Sequence, residues 1–177
     1  IAALYLADSD KPNRPTATLI KNASVLDGTG AAAQNVSVRF IDDRIVEVGK
    51  LEPFPRDRVV DAAGMVLAPG FIDTHSHADA DIFEQPDALA AVSQGITSAV
   101  VGQDGESNFP LRDFFTRLER ERTAINFASY AGFGSIRREV MGEDFRRPAM
   151  PEEIEQMRAL LREEMLEIGR ASCRERV

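Results

Sequence analysis

Apolar and polar positions alternate with a period of two in the first third of the chain and recur at helical spacing later. Leu19-Ile20-Lys21 and Ser24-Val25-Leu26 predict two short strands, closed by the polar turn Asp27-Gly28-Thr29-Gly30. Val36, Val38 and Phe40 alternate with Asn35, Ser37 and Arg39, the pattern of a half-buried strand. Asp42-Asp43 then turns the chain into Arg44 to Val48, which predicts a hairpin. Val59-Val60-Asp61 and Met65-Val66-Leu67 complete a small all-β unit. Beyond Pro69-Gly70 the texture changes. Phe71 to His75 predicts a buried strand, Asp87 to Gln94 a short helix stopped by Gly95, and Ile96 to Val101 an apolar strand covered on both faces. Leu111, Phe114, Phe115 and Leu118 share one face of a helix over Pro110 to Glu121, and Ala124 to Ala131 predicts a third strand. A last helix runs from Pro151 to Glu167, with Glu152 and Glu153 in its positive first turn and Ile154, Met157, Leu161 and Met165 at helical spacing. Strand and helix alternate, so this half is α/β with a parallel sheet.

Composition narrows the class. The chain has 177 residues, 44% hydrophobic and 28% charged, a balance that excludes disordered and collagen-like proteins. A net charge of −8 and a pI near 4.9 argue against a nucleic-acid partner and against anionic membrane surfaces. No apolar run approaches the ~20 residues of a membrane span. Residues 1–18, rich in Asp, Asn and Pro after an apolar start, predict a linker, and that apolar start leans towards export without deciding the compartment. Residues 168–177 break the amphipathic pattern, and they match the in-frame translation of a sequencing-library adapter. They hold the only cysteine, Cys173, so cysteine count says nothing about redox compartment. The expected organisation is therefore 1–18 linker or remnant of an export segment, 19–68 a β domain, 69–167 a strand-helix domain and 168–177 an artefactual tail. The expectation is a fragment of a longer protein.

Both histidines fall in His75-Ser76-His77, where a buried strand is expected to end. Side chains at i and i+2 of a strand project to one face, so two imidazoles can meet one ion. No Ser/His/Asp or Cys/His nucleophile set can be assembled from the remaining residues. Asp73 reads as a hydrogen-bonding strand residue, and Asp79 and Asp81 as loop acids beside the histidines.

Pro69-Gly70-Phe71-Ile72-Asp73-Thr74-His75-Ser76-His77, after a small β unit, resembles the first barrel strand of the amidohydrolase superfamily. Leu19 to Gly30 resembles that superfamily's opening, and Asp61 to Gly70 its entry into the barrel. Gln94 to Gly102, Arg137 to Gly142 and Pro151 to Met157 are similar to the N-acyl-D-amino-acid deacylase (D-aminoacylase) branch. The resemblance covers Leu19 to about Glu167. It implies a small β-sandwich-like unit followed by the first strand-helix units of a truncated TIM-type (β/α)8 barrel, since a whole barrel takes ~250 residues. It further implies a divalent metal, zinc foremost, held by His75 and His77.

Two positions depart from the branch. Val101-Gly102-Gln103-Asp104-Gly105 stands where the branch has a Val-Gly-Asn-Cys-Gly-like motif whose Cys binds metal, which makes Asp104 the third candidate ligand; the other reading is a turn Asp beside Gly105. Gly132-Phe133-Gly134 replaces a Gly-His-Gly motif. The implied activity is hydrolysis of the amide bond of small-molecule N-acyl amino acids, D-series by resemblance. No catalytic base is assigned, because the branch's aspartate base comes from a later strand; the fragment alone is expected to be inactive. A dihydropyrimidinase-like cyclic amidohydrolase and a non-catalytic binding module on the same fold stay open as alternatives, as does the oligomeric state.

Overall fold

The structure is a computed structural model and describes residues 16–167. The expected artefactual tail, and nearly all of the expected linker, lie outside the described residues. The chain divides between Pro69 and Gly70 into two compact units.

The first unit is one five-stranded mixed sheet. β1 (Thr18–Val25) pairs antiparallel with β2 (Gln34–Ile41), which pairs antiparallel with β3 (Arg44–Gly49). On the other edge, β4 (Arg58–Asp61) and β5 (Val66–Leu67) both lie parallel to β1. A sandwich-like unit was expected; the described residues form a single sheet. The two short strands expected over residues 19–26 are one strand interrupted by a register shift between Ile20 and Ala23, where Asn22 takes a φ of 57° and donates to Asp61 Oδ1 at 2.9 Å.

Arg39 overturns the simple alternation. It sits at a position expected to face solvent, yet it is 1% exposed. Its guanidinium pairs with Glu47 and donates to Asp57 Oδ2 at 3.0 Å and to the Glu52 carbonyl at 2.6 Å, while stacking 4.0 Å from the Phe54 ring centroid. Two carboxylates and an aromatic face compensate the buried charge, as burial requires. A period-two pattern reads polarity, not the partners that make polarity buriable.

In the second unit, β6 (Phe71–Asp73), β7 (Ile96–Val101) and β8 (Asn126–Ser129) form a parallel sheet in that order. Between and after them come α1 (Leu89–Val92), α2 (Leu111–Arg120), α3 (Phe133–Met141) and α4 (Pro151–Glu167). Leu111, Phe114, Phe115 and Leu118 of α2 pack on Val101 and Phe127, with Phe114 edge-on to Phe127 at 5.9 Å between centroids. This packing seats α2 against β7 and β8, and so fixes the connection that leaves β7.

Three expectations fail here. β6 is an edge strand, so Phe71 and Ile72 are 63% and 65% exposed where a buried strand was expected. β7 buries Ala99 and Val101 on one face, while Ile96, Ser98 and Val100 on the other are only half-buried, so it is fully covered on one face. α4 buries Met157 together with Glu164 and Glu167, while Ile154, Leu161 and Met165 lie exposed. Glu164 Oε2 accepts the Leu111 backbone N–H at 3.0 Å, and Glu167 Oε1 accepts from Arg112 at 3.1 Å. Those bonds turn the acidic side of α4 towards the start of α2. The helix α3 was missed because Gly132 and Gly134 at its start read as loop.

Candidate metal centre

β6 ends at Asp73, and the next residues bend out of the strand. Asp73 Oδ1 accepts the His75 backbone N–H at 3.2 Å, and the Val100 carbonyl accepts the Ser76 N–H at 3.0 Å. The histidines therefore lie just past the strand, still tied to its neighbour β7. β7 ends at Val101, and the chain turns through Gly102 and Asp104 with φ of 79° and 58°. Gly102 is obligatory: a Cβ there would lie 2.4 Å from the Tyr130 carbonyl oxygen. The turn brings Asp104 back over the end of β6.

His75 Nε2 and His77 Nε2 each lie 3.2 Å from the same oxygen, Asp104 Oδ2. The two rings stand 5.9 Å apart between centroids at 62°. Among the described residues this is the one group of three His, Cys, Asp or Glu side chains whose ligand atoms all fall within 4.8 Å of one another. All three side chains are more than 60% exposed. Hydrogen bonding to His75, reinforced by His77, holds the Asp104 carboxyl below the usual carboxylate range. Two imidazole nitrogens can face one carboxylate oxygen either as ring N–H donors or as ligands around a single cation. Two imidazoles and a carboxylate are a donor set that zinc accepts, so the residues present fit a divalent ion.

The loops that carry the site are pinned to one another. Asn108 donates to Asp79 Oδ2 at 2.6 Å, tying the loop after β7 to the loop after β6. Ser107 and Ser135 exchange hydrogen bonds of 2.9 and 3.0 Å, and Gly132 N–H donates to Ser107 Oγ at 2.9 Å. Asp81 accepts from Gln85 at 2.7 Å and keeps to its own loop. Gln103 escaped the sequence reading. It is 9% exposed and its Nε2 donates to the Thr74 and Val100 carbonyls at 3.0 and 2.9 Å. The one hint of it in the sequence is its place between Gly102 and Asp104 at a strand end.

Comparison with known proteins adds the family. Residues 58–168 match the model of the amidohydrolase family. The N-acyl-D-glutamate deacylase of Alcaligenes xylosoxydans xylosoxydans is 33% identical over 157 residues, 76% of this chain and 32% of that protein. The N-acyl-D-aspartate deacylase of the same organism is 34% identical over 174 residues, 85% of this chain and 34% of that protein. A solved N-acyl-D-glutamate deacylase from Bordetella bronchiseptica, complexed with zinc and a phosphonate inhibitor that mimics the tetrahedral intermediate, has a TM-score of 0.79 at 30% identity, over 86% of this chain and 37% of that one. The chain spans about a third of the length of the curated relatives it matches.

Proposed function

The chain belongs to the amidohydrolase family, and from that premise we propose that His75, His77 and Asp104 are metal ligands of a hydrolase that removes the acyl group from N-acyl-D-amino acids. The observation that carries this reading is the meeting of both imidazole nitrogens at one Asp104 oxygen, 3.2 Å from each. Zinc is the proposed ion. Once bound, such an ion supplies Lewis acidity, polarising the scissile carbonyl and making water acidic enough to attack near neutral pH. The protein's own part is to hold the donors ready. Asp73 fixes the His75 backbone, the turn through Gly102 delivers Asp104, and the Asn108–Asp79 and Ser107–Ser135 bonds keep the loops in register. With Asp104 in place of a cysteine, the set is harder than a thiolate site and accepts a wider range of divalent ions.

The three parallel strands and their helices are proposed as the opening of a (β/α)8 barrel over residues 69–167, with 19–68 as the small β domain before it and 168–177 as an artefactual tail. A barrel places its reacting groups at the C-terminal ends of its strands, and the ends of β6 and β7 carry this site. The test is turnover by the complete gene product. Metal-dependent release of free amino acid from N-acyl-D-amino acids, in preference to the L-enantiomers, is the expected result. Preference for cyclic ureides would replace the reading with a ring-opening one, and the absence of any amide hydrolysis by the metal-loaded protein would refute it.

A further inference from the structure

Gln103 is a buried carboxamide whose two hydrogen bonds both run to backbone carbonyls, those of Thr74 and Val100. Since both partners are acceptors, the nitrogen must face them, and the amide has only one workable orientation. Its Oε1 is buried and meets no donor among the described residues. A buried acceptor left without a donor costs stability and offsets what the two donated bonds contribute, so packing alone gives little reason for a carboxamide here. The carboxamide is instead placed where it links the elements of the site. Thr74 precedes His75, and the Val100 carbonyl also accepts the Ser76 N–H at 3.0 Å. The backbone on both sides of His75 is thus bound to one carboxamide and the carbonyl it shares, and the residue after that carboxamide is Asp104.

Resting on the metal-ligand reading above, we propose that Gln103 is a positioning residue whose carboxamide sets the spacing between the His75–His77 pair and Asp104 for a divalent ion. It touches no ion itself. Its hydrogen bonds join the end of β6 to the turn after β7, so losing them frees the two halves of the donor set to drift apart. Partners behind metal ligands typically change metal affinity by about 10- to 100-fold.

The experiment uses this chain, unaltered and as Gln103→Met, which keeps the length and removes both donors. Zinc affinity is measured by competition with a chromophoric chelator, and the stability of the zinc-free chain by urea unfolding. The expected result is zinc affinity lowered about 10- to 100-fold with an apo unfolding midpoint little changed, because removing the unpartnered oxygen offsets the two lost bonds. Equal zinc affinity in the two proteins would overturn the proposal. So would an affinity loss accompanied by a lower apo midpoint, which marks a merely structural role. Should Gln103→Met not fold, the unaltered chain decides by NMR: the Gln103 side-chain amide protons should exchange slowly and shift on zinc addition, and free exchange without a shift overturns the proposal. An unaltered chain that binds no zinc would defeat the metal-ligand reading itself, a result distinct from normal binding that is indifferent to Gln103.

Discussion

Glu164→Gln should stabilise the second unit at pH 7. Glu164 is 4% exposed, and its Oε2 accepts the first backbone N–H of α2, that of Leu111, at 3.0 Å. Burial raises its pKa above 4.5, more than the Leu111 bond lowers it. The sign follows from linkage. Below pH 4.5 the carboxyl is neutral in both states and its contribution is fully present. As pH rises through the folded pKa, the native state must bury a charge that the unfolded state keeps in water, and stability is lost. Gln keeps the accepting oxygen and never ionises. The variant should therefore match wild type near pH 4 and exceed it at pH 7. Glu164→Ala leaves the Leu111 N–H without a partner and should cost about 1–2 kcal/mol at both pH values. With a urea slope of about 2 kcal/mol/M, that lowers the midpoint by about 0.5–1 M. Circular dichroism at 222 nm follows the event selectively, because all the described α-helices belong to this unit. A Gln variant less stable than wild type at pH 7 would refute the reasoning, since the charge would then be interacting favourably with the start of α2.

Other outcomes follow from the same structure. Glu153 accepts from Arg147 and from the Met150 backbone N–H, with Arg147 the main cause of a pKa held down to about 2. Its stabilising contribution is present above pH 4.5 and lost as pH falls towards 2, so Glu153→Gln should blunt the acid sensitivity of helix signal in that window. Glu47→Ala strips one carboxylate from the buried Arg39 and should cost about 3 kcal/mol, read as earlier loss of the β-unit signal in urea. Replacing Asp104 by Ala should leave folding intact and weaken metal binding, because the residue is exposed and, among the described residues, its side chain bonds only to His75 and His77; unchanged affinity would return it to the role of a turn residue.

The legible parts of this chain are those where polarity tracks exposure. Leu111, Phe114, Phe115 and Leu118 declare the inner face of α2, and the structure buries all four. Asp42-Asp43 declares the β2–β3 hairpin. The meeting of His75, His77 and Asp104 could be anticipated because neighbouring parallel strands place their ends side by side, even though the histidines lie past the end of β6. What escaped are residues whose burial depends on a partner distant in sequence. Arg39 needs Glu47 and Asp57, Glu164 needs Leu111, and Gln103 needs Thr74. The exposure of Phe71 and Ile72 was equally hidden, since a strand's composition does not say whether it lies at an edge.

The most direct test of the central claim is the metal content of this chain after equilibrium dialysis against zinc, with cobalt substitution to report ligand geometry by its visible spectrum. One tightly held ion per chain is predicted for the unaltered protein, and loss of that ion in both His75→Ala and His77→Ala, with folding intact by circular dichroism. Folded histidine variants that retain the ion at unaltered affinity, with an unchanged cobalt spectrum, would contradict the account.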